Sequence, residues 1–137
     1  PIAAFIANRE VMSSLSQNPI LGHISTFAGN PVCCAAALAV VDTLKSSNII
    51  QEVEDKGAYL ASKLHDLNLG TIRRMGLMLA VDMGNENINF CLIKKCIDNG
   101  IIADWFLFNT QSMRICPPLT ITYEEIDYFI HKLQELI

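Results

Sequence analysis

Four stretches of the chain carry apolar residues at helical spacing, and between them the pattern shortens to that of strands. Ile49, Val53, Leu60, Leu64 and Leu67 form one stripe among Glu52, Glu54, Asp55, Lys56 and Lys63, which predicts a surface helix with one buried side. Asn48 with Gln51 marks its start and Gly70 its close. Phe90, Ile93 and Ile97 share a second helical face, ended by Asn99-Gly100 in the left-handed conformation. Ile126, Phe129, Ile130, Leu133, Leu136 and Ile137 make a third stripe behind the capping box Thr122-x-x-Glu125. The fourth segment, Val32 to Val41, is apolar on every face and opens at Asn30-Pro31, an N-cap followed by a proline at the first helical position. A helix of that composition has to be covered all round, by its own domain or by a partner chain.

The shorter runs predict strands. Ile2 to Ala7 reads as a buried strand bounded by Asn8, with a short helix over Arg9 to Leu15 capped by that Asn. Thr71 to Arg74 and Leu77 to Met83 are two strands separated at Gly76. Ile101-Ile102-Ala103 and Met113-Arg114-Ile115 are two more, flanking an aromatic loop from Trp105 to Phe108. The fold class is therefore α+β, and from Gly70 onward the order predicts a small antiparallel sheet with helices on one face.

With 51% hydrophobic and 18% charged residues, a chain of 137 residues is expected to be globular. No apolar run reaches the roughly 20 residues that cross a bilayer, and no signal pattern opens the chain, so the expected location is cytoplasmic. A net charge of −4 with scattered basic residues argues against a nucleic-acid partner. The five cysteines have no zinc-ligand spacing and read as buried free thiols, and no metal site is expected. The chain starts at Pro1, without Met, and enters an apolar stretch at once, which reads as a cut.

Two places stand out chemically. Ser25 and Thr26 are hydroxyls in a Gly-containing loop just before a helix N-terminus, where free amides and the dipole suit an anion such as a phosphate. An ordinary turn with a local hydroxyl-to-backbone bond is the alternative there. Arg114 stands among apolar residues, where its planar fork suits a carboxylate; strand alternation pointing it to solvent is the alternative.

Both places lie in motifs that resemble the class III aminotransferases of the ornithine and acetylornithine type. His23-Ile24-Ser25-Thr26-Phe27-Ala28-Gly29-Asn30-Pro31 resembles the family's His-Gly-Ser-Thr-Phe-Gly-Gly-Asn-Pro, which also leads into an Ala-rich helix. Arg73-Arg74-Met75-Gly76-Leu77 resembles Arg-Gly-x-Gly-Leu, and Met113 to Ile121 resembles Leu-Arg-x-x-Pro-Pro-Leu-x-Ile. Ile24, Ala28 and Arg74 replace family glycines, and the first two restrict the loop at positive φ.

The resemblance implies a fold type I enzyme using pyridoxal 5'-phosphate (PLP). Residues 1–47 would be the last strand, loop and connecting helix of the large cofactor domain, and residues 48–137 the C-terminal small domain. It further implies a homodimer in which Thr26, with Ser25 a weaker candidate, binds the phosphate of the partner's cofactor. Arg114 would receive a substrate carboxylate or pair with a Glu lying upstream. The implied reaction moves an amino group from an amino acid or ω-amine to a 2-oxo acid.

The family's Schiff-base lysine sits in a Lys-x-x-Gly-Gly-Gly-x-Pro-Ile-x-Ala context, upstream of what Pro1-Ile2-Ala3-Ala4 resembles. Lys45, Lys56, Lys63, Lys94, Lys95 and Lys132 all read as residues of solvated helix faces, so no catalytic residue is expected in this chain and alone it should be inactive. Two other readings stay open: an aminomutase, decarboxylase or epimerase on the same scaffold, or a non-catalytic dimerisation module joined through Val32 to Val41.

Overall fold

A computed structural model describes residues 2–20, 22 and 24–137; Pro1, Leu21 and His23, which belong to stretches read above, lie outside the described residues. The chain divides into two compact units, Pro1–Ser47 and Asn48–Ile137.

In the first unit, α1 (Arg9–Ser13) is capped by Asn8, whose Oδ1 accepts from the Val11 amide, and it runs into a 3-10 turn at Ser14–Ser16. The expected strand at Ile2 to Ala7 is absent. Its backbone finds no neighbouring strand to pair with among the described residues, and an unpaired ladder is not a stable element. α2 (Pro31–Ser46) starts as expected, with Asn30 Oδ1 accepting from the Val32 and Cys33 amides. None of its residues is buried: Val32, Leu38, Val40 and Val41 are all exposed, so the described residues of its own unit do not supply the cover its composition calls for.

The second unit is α+β. Its sheet has the order β1-β2-β4-β3 and is antiparallel throughout, built from β1 (Thr71–Met75), β2 (Met78–Asp82), β3 (Asp104–Phe106) and β4 (Asn109–Ile115). One face of the sheet, carrying Ile72, Leu79, Val81, Met113 and Ile115, packs against α3 (Ile49–Asp66), α4 (Glu86–Asp98) and α5 (Tyr123–Leu136). Leu60 and Leu64 from α3, Leu92, Ile93 and Cys96 from α4, and Ile126, Ile130 and Leu133 from α5 complete that core.

Several local expectations shift. α3 ends four residues before Gly70, because Asn68 takes the left-handed conformation (φ 57) and stops it. Asn48 makes no side-chain cap, since its φ of −89° and ψ of 11° turn the side chain away from the first amides. The buried side of α4 is Asn89, Leu92, Ile93 and Cys96, while Ile97 faces out. Asn89 there donates its Nδ2 to the Thr110 carbonyl oxygen, 2.7 Å away, while its buried Oδ1 has no partner among the described residues.

The strand expected at Ile101 to Ala103 forms instead at Asp104–Phe106. The Ile101 amide is spent on the Cys96 carbonyl as the closing bond of α4, leaving Ile102 fully exposed. The capping box at α5 is present in full, Thr122 Oγ1 accepting from the Glu125 amide and Glu125 Oε2 from the Thr122 amide. Such a cap contributes about 1 kcal/mol to the helix.

Of the five cysteines only Cys96 is buried, and burial pushes its thiol pKa up; Cys34, Cys91 and Cys116 are exposed, against the expectation of buried thiols. No single helix among the described residues is long and apolar enough to cross a membrane.

Candidate functional site

The loop before α2 is two successive turns. The Ala28 amide donates to Ser25 O and the Asn30 amide to Phe27 O, which leaves Ser25 and Thr26 exposed at the first turn. The only positive φ among residues 24–30 is at Gly29 (φ 70), so Ile24 and Ala28 sit at ordinary dihedrals and the glycines they replace are not needed for this shape. The Thr26 hydroxyl engages no other described residue.

One part of the expected anion site is corrected. Pro31 has no N–H, Asn30 Oδ1 takes the Val32 and Cys33 amides, and Asn30 O takes that of Cys34. Helix α2 therefore satisfies its own first turn, and an anion here would rest on the loop hydroxyls and amides ahead of Asn30.

Arg114 lies in the other unit, on β4. Its neighbours Met113 and Ile115 point into the core, so alternation sends its side chain to the opposite, open face of the sheet. The register sets Arg73, Ala80, Arg114 and Asp104 directly opposite one another across the four strands. Two guanidiniums thus stand on one face with only an alanine between them. Each has a carboxylate: Arg114 Nη2 donates to Asp104 Oδ2 at 2.6 Å, and Arg73 Nη2 to Asp82 Oδ2 at 3.5 Å.

The Asp82 carboxyl is held below the usual carboxylate range, first by the Gly84 backbone N–H and then by the Asn109 and Gln111 side chains and the Arg73 charge. Beside Arg114 the face sinks into a hollow of about 370 Å³ lined by Met78, Ile102, Ala103, Asp104, Arg114 and Cys116. It is open, part apolar and part charged, which suits a small acid or amine.

Asp104 is the site residue that the sequence pattern missed. Its role follows from the β3–β4 register, and its only local signal was its place beside an aromatic run. Arg74, third of the departures from the family's glycines, instead reaches back to α3, where its Nη2 donates to Glu54 Oε1 at 2.7 Å; that contact holds the Glu54 carboxyl below its usual range.

The lysines are not uniformly solvated. Lys56 is buried, its stem on the core and its ammonium 2.9 Å from Glu52 Oε2. Lys63 stands over the Tyr59 ring, Lys95 Nζ donates to the Leu136 carbonyl and Lys132 Nζ to Glu135. No group of three or more His, Cys, Asp or Glu that could hold a metal occurs among the described residues.

A small antiparallel sheet covered on one face by helices, following a Thr-containing loop and an Ala-rich helix, is the arrangement of the C-terminal portion of fold type I aminotransferases. An acetylornithine aminotransferase from Elizabethkingia anophelis superimposes with a TM-score of 0.81 at 26% identity, over 96% of this chain and 35% of its own. The family profile "Aminotransferase class-III" matches residues 1–137. The chain belongs to the class III aminotransferases, a PLP-dependent family.

It is 34% identical over 143 residues to a putrescine aminotransferase from Pectobacterium atrosepticum, covering all of this chain and 30% of the relative. It is 31% identical over 140 residues to an ornithine aminotransferase from Oceanobacillus iheyensis, covering all of this chain and 33% of that relative. The chain thus spans about a third of the length of the curated relatives it matches.

Proposed function

We propose that the protein containing this chain is a cytoplasmic, homodimeric PLP transaminase that moves an amino group from an amino acid or ω-amine to a 2-oxo acid. Residues 1–47 would close its cofactor domain and residues 48–137 form its small domain. Support comes above all from the family match along the whole chain together with Arg114 standing on an open sheet face, beside a hollow, where a carboxylate can reach it. The names of the relatives favour a diamine or a diamino acid as donor. The exposed apolar residues of α2 favour a contact with further protein, in keeping with a dimer.

The residues present fit the cofactor's phosphate modestly: Thr26, with Ser25, offers an exposed hydroxyl on a tight turn, and the adjoining helix adds its dipole but no free first-turn amide. When bound, PLP supplies the electron sink on which amino-group transfer depends. Thr26 would hold the phosphate of the partner's cofactor, and Arg114, in the other unit, would receive a substrate carboxylate. The deciding experiment is turnover of the full-length protein with and without a 2-oxo acid; turnover that needs no oxo acid rejects the transaminase and favours another PLP chemistry on this scaffold. In the same protein, Thr26→Val is expected to weaken PLP binding about tenfold, the loss of one hydrogen bond to a charged group, with Thr26→Ser retaining it. Titration of the cofactor's absorbance reads both.

The 137-residue chain by itself is proposed to be inactive, because its lysines serve helix surfaces and, for Lys56, the edge of the core. Incubation with PLP followed by borohydride should leave no lysine stoichiometrically labelled in the mass spectrum. Labelling concentrated on one of them would refute the claim.

A further inference from the structure

On the helix-covered side of the sheet, Ile88, Cys91, Leu92 and Lys95 recur along α4 at the three- and four-residue spacing that puts side chains on one face. With Leu69, Met83 and Leu136 they line a hollow of about 350 Å³, within the size range of small-ligand sites. Its walls are mostly apolar, and no acidic side chain is among them. The hollow beside Arg114 has no lining residue in common with it.

The lining carries one charged side chain. Lys95 Nζ donates to the Leu136 carbonyl oxygen at 2.7 Å, which fixes the ammonium beside the hollow and uses one of its three protons. Lys56, Lys63 and Lys132 each have a carboxylate partner, whereas no ion pair joins Lys95 to a carboxylate among the described residues. Asn87, also in the lining, precedes Lys95 by about 12 Å of helix. An apolar trough of that length with an unmatched cation at one end is complementary to an aliphatic chain bearing an anionic head. The chain leaves water against Ile88, Leu92 and Met83, and the head takes the two free protons of Lys95.

We propose that this hollow binds a free aliphatic carboxylate of medium chain length, its tail on the apolar wall between α4 and α5 and its carboxylate on Lys95. A cationic amine of the same length meets a like charge there, and a neutral chain leaves the ammonium unused.

Cys91 is an exposed thiol in the lining, so its reactivity reports occupancy. In the full-length protein, octanoate at about ten times its calorimetric Kd is expected to slow alkylation of Cys91 by iodoacetamide about tenfold. Cys34 and Cys116, followed in the same mass spectra, should keep their rates. Each methylene removed from the acid should raise its Kd about fourfold, the worth of one buried CH₂. Octylamine should give no protection. Lys95→Met, at an exposed position, is expected to weaken octanoate about fivefold, the upper worth of an exposed ion pair, and to leave 1-octanol unchanged.

Equal protection by octylamine and octanoate overturns the proposal, and so does equal octanoate binding by Lys95→Met. Protection at Cys116 in place of Cys91 also overturns it, because the carboxylate would then occupy the hollow beside Arg114 that Cys116 lines. A Cys91 already unreactive without any acid does the same, since the rest of the full-length protein would then cover the hollow.

Discussion

Replacing Gly57 by alanine is expected to destabilise the Asn48–Ile137 unit by about 2 to 3 kcal/mol, the cost of forcing an extra carbon into a packed contact. The sign is what makes the test sharp, because glycine to alanine inside a helix ordinarily stabilises by roughly 1 kcal/mol. Here α3 crosses the β1–β2 hairpin so closely that a Cβ on Gly57 would lie 2.1 Å from the Gly76 carbonyl oxygen and 2.6 Å from its carbon. Both are backbone atoms, so no side chain can swing aside.

The hairpin cannot yield easily either. Gly76 holds a φ of 53°, the next residue Leu77 is buried in the core, and Met75 pairs with Met78 to close the turn. Urea unfolding of the chain should show a lower midpoint for Gly57→Ala with little change in slope. A raised midpoint would mean that helix propensity wins and that the α3–hairpin contact is looser than the distances say.

Much of the fold was legible where the signal is local. Thr122 and Glu125 make a complete capping box within one turn of chain, and Asn30-Pro31 needs nothing beyond the next three residues. Gly76 divides its two strands at the expected place because a positive φ is a property of one residue. The misreadings come where a segment's own pattern does not show what its backbone bonds or packs against. Ile101 to Ala103 has a strand's composition, yet the Ile101 amide closes α4 and the ladder begins at Asp104. Trp105 and Phe106, read as part of an aromatic loop, belong to β3, while Leu107 and Phe108 lie at the exposed turn that joins β3 to β4. Asn89 faces the core of α4 because Thr110, twenty-one residues on, accepts from it.

The candidate site divides the same way. Arg114 could be singled out from its neighbours, and the Ser25-Thr26 loop from its place before a helix. That Asn30 would consume the first amides of α2 was implicit in its capping role, but competes with the anion reading only once both bonds are seen. The row Arg73, Ala80, Arg114 and Asp104 could not be found without the register of all four strands. A shift of one residue in any pairing would have turned a member of the row to the other face.

That row leads to the second large effect. In the full-length protein Arg114→Ala is expected to lower kcat/KM for ornithine about a hundredfold, the value of a bidentate, charge-assisted contact with a carboxylate, and to change that for putrescine by a few-fold at most. Arg114→Lys should recover only part of the loss, since an ammonium supplies charge without the planar fork. The side chain is 44% exposed and its ion pair with Asp104 is a surface one, so the fold should hardly register its removal. Unfolding free energies of mutant and parent from urea titration should therefore agree within about 0.5 kcal/mol.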